Sequence, residues 1–135
     1  MRKRKSTSPR ALLDALQGSG RYTFTRAEAA QALGLSDVAL KNALWRLART
    51  GRVASPRRGF YVIVPPEYRV TGSLPAAWFI RDLMEYLQRP YYVGLLTAAS
   101  IHGAAHQAPQ EFQVVTDRPL GVIEVGRVRI RFMKK

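Results

Sequence analysis

The side chains best suited to chemistry form a run of amides and cations: Lys41, Asn42, Arg46 and Arg49, with Trp45 among them. None is a nucleophile or a proton shuttle near neutral pH. Amides and guanidiniums instead make paired hydrogen bonds to planar acceptors, and guanidiniums also neutralise phosphate. Two more arginines, Arg57 and Arg58, stand between Pro56 and Gly59, a composition suited to a tight turn. The residues that suggest catalysis are fewer. His102 and His106 are four apart, a spacing used for helical metal pairs. No Glu follows His102, however, and the chain has neither a cysteine nor a third histidine, so no metal site is expected. No Ser or Thr has a histidine–carboxylate partner at readable spacing, and no glycine-rich phosphate loop occurs. No catalytic residue and no cofactor are expected.

The cationic run needs a helix to position it, and the flanking residues supply one. Thr25 and Glu28 form a capping box, Ala29, Ala30 and Leu33 give a short apolar stripe, and Gly34 stops that helix. Leu35 is expected to plug the corner of the turn. Ser36 caps a second helix and Asp37 suits its first turn. Leu40, Leu44 and Leu47 face inward. At about 100° per residue, Val38, Asn42, Trp45 and Arg49 lie opposite, with Lys41 and Arg46 on the flanks. Small residues (Ala39, Ala43 and Ala48) allow close packing, and Gly51 ends the helix. A strand (Arg52-Val53-Ala54), the turn Ser55–Gly59 and a second strand (Phe60–Val64) complete a hairpin, whose tip is expected to present two guanidiniums side by side. Upstream, Pro9 with Ala11, Leu12, Leu13, Ala15 and Leu16 reads as a first helix ended by Gly18-Ser19-Gly20. This order is that of a winged helix-turn-helix, with three helices around one core.

Such an arrangement suits duplex DNA, because a single helix fits the major groove and the wing lies along phosphates. Val38, Lys41, Asn42, Trp45 and Arg49 are the base-reading candidates, with Asn42 suited to adenine. Ser36, Arg46, Arg57 and Arg58 are the phosphate candidates, and either Arg46 or Arg49 could take guanine or phosphate. Composition agrees: the chain has 22 Lys+Arg against 9 Asp+Glu, a net charge of +13. The excess is concentrated in residues 1–72, as phosphate neutralisation requires. The tail Arg2-Lys3-Arg4-Lys5 is expected to be disordered alone, either an accessory nucleic-acid contact or simply a solubilising end. No apolar stretch follows it, so it is not a signal peptide, and no run is long enough to span a membrane. A cytoplasmic location is expected.

The expected fold class is α+β: a basic tail (1–8), a winged helix-turn-helix (9–66), a linker (67–74) and a small α+β region (75–135). In the last region, Ser73 and Pro75 open a helix with Ala76, Ile80, Leu83 and Leu87 on one face. Trp78, Arg81, Asp82 and Glu85 lie opposite. A small-residue helix from about Thr97 to Ala105 and strands at Phe112–Thr116, Val122–Val125 and Arg127–Phe132 follow. The last alternates Val128, Ile130 and Phe132 with Arg127, Arg129 and Arg131. Those arginines read as a solvated face protecting a sheet edge.

Three stretches together resemble a known family. Ala39–Leu47, Gly51-Arg52-Val53 and Arg57–Val62 look like the N-terminal winged helix of AbiEi-type antitoxins. Tyr91-Tyr92-Val93-Gly94, Ala98–Gly103, Gln107-Ala108-Pro109 and Val114-Val115-Thr116 look like the start of that family's C-terminal region. The resemblance implies the antitoxin and autorepressor of a bacterial type IV toxin–antitoxin operon, linked to phage defence. It implies repeats near the promoter as the DNA target, by analogy an inverted repeat bound by a homodimer. It further implies a nucleotidyltransferase-like toxin as functional partner. Family members usually continue past the final strand here, which leaves toxin neutralisation less supported than DNA binding. Some relatives carry a nuclease domain, which needs clustered carboxylates and a lysine. Glu111, Asp117 and Glu124 have no lysine between them, so an enzyme is not expected. Two alternatives stay open. One is a protein-interaction module anchored on DNA, with Trp78 on its partner surface. The other is a sequence-indifferent nucleic-acid binder using the tail and the Arg127/Arg129/Arg131 face.

Overall fold

The computed structural model describes residues 8–93, 110–118 and 120–134. The tail cations Arg2, Lys3, Arg4 and Lys5, the expected helix near 97–105, His102, His106 and Gln107-Ala108-Pro109 lie outside the described residues. Helix α1 (Pro9–Gly18) starts with Ser8, whose hydroxyl accepts from Ala11 N at 3.1 Å, and Pro9 follows where a missing N–H costs nothing. Strand β1 (Thr23–Thr25) leads directly into helix α2 (Arg26–Leu33). The capping box is present: Glu28 N donates to Thr25 Oγ1 and Thr25 N to Glu28 Oε1. Gly34 closes α2 at φ 64°. Helix α3 (Asp37–Arg49) follows, capped by Ser36. Leu40 and Leu44 are buried and Leu47 half-buried. Two expectations fail locally. Leu35 does not plug the turn but is 38% exposed, and Ala48 faces solvent while Ala43 alone of the three alanines is fully packed.

Strands β2 (Val53–Arg57) and β3 (Phe60–Ile63) form the hairpin, and β1 adds to its other side in the order β1-β3-β2. The apolar run Phe60–Ile63 is buried on both faces. Tyr61 and Ile63 face the helices with Leu12, Leu13, Phe24, Leu33, Leu40 and Leu44, and Tyr61 stacks on Phe24 with centroids 5.2 Å apart. Phe60 and Val62 face the other way, into a second core.

That second core contains helix α4 (Ala76–Leu87) and a four-stranded sheet. Its strands are β4 (Tyr91–Val93), β5 (Gln110–Thr116), β6 (Val122–Val125) and β7 (Val128–Lys134), in the order β4-β5-β7-β6. Phe79, Leu83 and Met84 of α4 pack with Phe60, Val62, Val114 and Ile130 in one cluster. The three-stranded sheet is therefore the middle layer between the helix-turn-helix and the C-terminal unit. Within residues 67–74, expected as a linker, Glu67, Arg69 and Val70 are exposed, whereas the end of the segment is held against the C-terminal unit. Ser73 and Leu74 are fully buried, Arg127 N donates to Thr71 O at 2.8 Å, and a Cβ on Gly72 would lie 2.8 Å from Gly126 Cα. Ser73 does not cap α4; its buried hydroxyl donates to Leu74 O.

β7 is not an edge strand. It pairs in parallel with β5 and antiparallel with β6, so its arginines protect no edge. They are instead neutralised. Arg129 reaches Glu124 at 2.8 Å, and Arg131 Nε donates to Glu111 at 3.1 Å. Arg129 Nε also lies 3.4 Å from Glu111, within ion-pair reach but without hydrogen-bond geometry. Desolvation raises the Glu111 pKa, but the hydrogen bonds of Gln113 and Arg131 and the charges of Arg131 and Arg129 outweigh it, so Glu111 lies below its ordinary value. Among the described residues, no helix is long and apolar enough to cross a membrane.

Candidate nucleic-acid interface

The outer face of α3 is open along its length. Val38, Lys41, Asn42, Trp45, Arg46 and Arg49 are all exposed, Val38 at 69% and Trp45 at 58%. Two large apolar side chains this bare on an otherwise polar helix face offer a surface that a partner can cover. Arg49 lies over the Trp45 ring, its Cζ 5.1 Å from the centroid, so the guanidinium and the indole face are in cation–π contact. Arg46 and Arg49 also suit the negative C-terminal end of the helix. That term accounts for two cations in the last turn but not for Lys41, Asn42 or the bare indole.

Charge on this face is uncompensated. Among the described residues, ion pairs form at Arg21–Glu28, Arg89–Asp117, Arg129–Glu111, Arg129–Glu124 and Arg131–Glu111. No carboxylate pairs with Lys41, Arg46, Arg49, Arg57 or Arg58 among the described residues. Ser36, at the other end of α3, accepts from Ala39 N at 3.2 Å as a cap and stays exposed.

The wing differs from the turn expected at Ser55–Gly59. β2 runs to Arg57, and only Arg58 and Gly59 form the tip. Between Ala54↔Val62 and Arg57↔Phe60, β2 carries one residue more than β3, a bulge that accommodates buried Pro56 inside a strand. Ser55 closes the bulge: its Oγ lies 2.9 Å from both Arg57 O and Phe60 O and shares its proton between them. The two arginines are therefore unequal, Arg58 exposed on the turn and Arg57 half-buried at the strand end.

Trp78 stands apart from this face. It is 57% exposed on α4 and meets Tyr22 and Tyr68 edge-on, each with centroids 6.1 Å away. The ring thus braces the joint between β1, the short 3-10 turn Pro66–Tyr68 and α4, and still leaves an apolar surface outward. A cleft of about 390 Å³ beneath α4 is lined by Arg21, Glu28, Asp82, Glu85 and Tyr86, a carboxylate-rich surface unsuited to phosphate.

Three features were missed in the sequence. β1 was overlooked, although Thr23-Phe24-Thr25 is a short alternation between Gly20 and a helix cap. Arg26, whose N–H donates to Gly59 O, brings the start of α2 beside the wing tip. Tyr86 reaches that tip from α4, a contact no local spacing announces.

Residues 11–64 match the family model described as "Transcriptional regulator, AbiEi antitoxin". The match runs from within α1 to just past β3 and so carries the resemblance to AbiEi-type antitoxins over the winged helix. That family is one of transcriptional regulators and antitoxins. No curated protein and no solved structure matches the chain.

Proposed function

We propose that this chain, whose winged helix matches the AbiEi antitoxin regulators, is a sequence-specific duplex-DNA-binding regulator and the antitoxin and autorepressor of a bacterial toxin–antitoxin operon. The observation that carries the reading is the outer face of α3. An amide, three cations and a bare indole lie along one exposed side with no acidic partner among the described residues. Asn42 with Val38, Lys41, Trp45 and Arg49 reads base edges, while Ser36, Arg46, Arg57 and Arg58 hold phosphates. The protein acts in the cytoplasm, as a homodimer on an inverted repeat, and a nucleotidyltransferase-like toxin is its functional partner. A competition assay on DNA from the protein's own upstream region tests this. Preference for that DNA over a shuffled competitor at near-physiological salt is the expected result, and equal affinity refutes it.

One observation favours a second role for the C-terminal unit. Trp78 keeps more than half its surface exposed despite two aromatic neighbours, which suits a protein partner.

A further inference from the structure

The wing tip does not project freely. Tyr86, in the last turn of α4, donates its hydroxyl to Arg58 O at 2.8 Å, and its ring lies against Phe60 with centroids 5.4 Å apart. The next carbonyl, Gly59 O, accepts from Arg26 N at 2.9 Å. Both carbonyls of the two-residue tip are thus held, one by α4 and one by the start of α2. Gly59 has φ 80°, and a Cβ there would lie 2.5 Å from Tyr86 Oη but 3.7 Å from Tyr86 Cζ. One turn earlier on α4, Asp82 accepts from Thr23 Oγ1 at 2.8 Å, which ties the same helix to β1.

We infer that Tyr86 is a positioning residue for the wing: it sets the direction in which Arg58 leaves the hairpin, so that α4 governs a phosphate contact it does not make. A long side chain on a wandering turn must be ordered when it binds, and that ordering subtracts from affinity. A backbone held beforehand leaves only the side chain to be ordered. The inference rests on the reading of the wing as a phosphate-binding element. It adds that the C-terminal unit is part of the DNA-binding device, because the residue holding the tip belongs to α4.

The test uses the full chain and a labelled duplex from the upstream region, with Tyr86→Phe, Arg58→Ala and the double variant. Tyr86→Phe keeps the ring against Phe60 and removes only the donor. It is expected to weaken binding by no more than Arg58→Ala does, and to lower the slope of log affinity against log salt by up to about 0.9. In the Arg58→Ala background it should add nothing. Losses that simply add, or a Tyr86→Phe protein that binds like the parent while Arg58→Ala binds weakly, overturn the inference and leave the DNA reading standing. If Arg58→Ala itself changes nothing, the wing reading fails and this inference falls with it. A stability measurement supplies an independent check. Gly59→Ala should lower the melting temperature more in the parent than in the Tyr86→Phe background, since the φ strain is common to both and the hydroxyl clash is not. Equal drops would show that the hydroxyl does not press on the tip, and would also overturn the inference.

Discussion

Replacing Arg57 and Arg58 together with alanine removes two of the three cations assigned to phosphate (Arg46, Arg57 and Arg58). If each neutralises one phosphate, they contribute about 2.7 to the slope of log affinity against log salt, at about 0.9 per contact. Affinity due to these residues then falls about 40-fold between roughly 50 and 200 mM salt. Without the wing pair the slope contribution drops to about 0.9 and the same change of salt costs about 3.5-fold. Any contribution from the basic tail is common to both proteins and cancels in the difference. The structure also divides the effect unequally: Arg58 is exposed on the turn and Arg57 half-buried, so Arg58→Ala alone should account for the larger part. Neither guanidinium has an acidic partner among the described residues, so stability should change by less than about 0.5 kcal/mol. Fluorescence anisotropy of a labelled upstream duplex, titrated at several KCl concentrations, reads the slope directly. Arg129→Ala with Arg131→Ala is the control, because Glu111 and Glu124 already compensate those charges. An unchanged slope in the wing variant, or an equal fall in the control, refutes the reasoning.

Asn42→Ala should lose about 1–3 kcal/mol of discrimination at one base pair while leaving non-specific binding in place, measured by competition with singly substituted duplexes. Phe79→Ala should cost about 3–5 kcal/mol, because the fully buried ring joins the wing strand to the C-terminal sheet. Denaturant unfolding should stay a single transition, and two separated transitions would show that the units fold independently. Glu111, whose pKa is held below its ordinary 4.5, contributes stability that is present above that pH and lost as pH falls through the lower folded value. Melting temperature should therefore fall more steeply with acid in the parent than in Glu111→Gln. Trp78→Ala should leave affinity for the upstream duplex unchanged, since the ring lies on α4 away from the α3 face; a matching loss of DNA affinity would place it in the DNA interface instead.

Much of the N-terminal unit was legible because its signals are local. The Thr25–Glu28 capping box, the Gly34 stop and the Ser36 cap each depend on residues within one helical turn, and each formed as read. The inward leucines and outward cations of α3 follow from the 3.6-residue period alone. The arginine alternation of β7 was equally clear, yet its meaning was not. Glu124 meets Arg129 across the β6–β7 hairpin, but whether Arg131 meets water or a carboxylate depends on β5 lying parallel beside it, and that pairing is set by tertiary packing.

Caps, stops, the amphipathic pattern of α3 and the excess of cations have causes that lie within a turn or a strand, so the residues alone settle them. How the two halves meet was settled by packing across the layers. Phe60–Ile63 is apolar at every position because both faces of β3 are covered, and nothing local says which core lies on which side. The same packing also decided that Ser73 and Leu74 would be buried, and that Tyr86 would reach the wing tip. Such contacts join residues distant in sequence, 28 positions apart for Tyr86 and Arg58, so their geometry exists only once the layers have stacked.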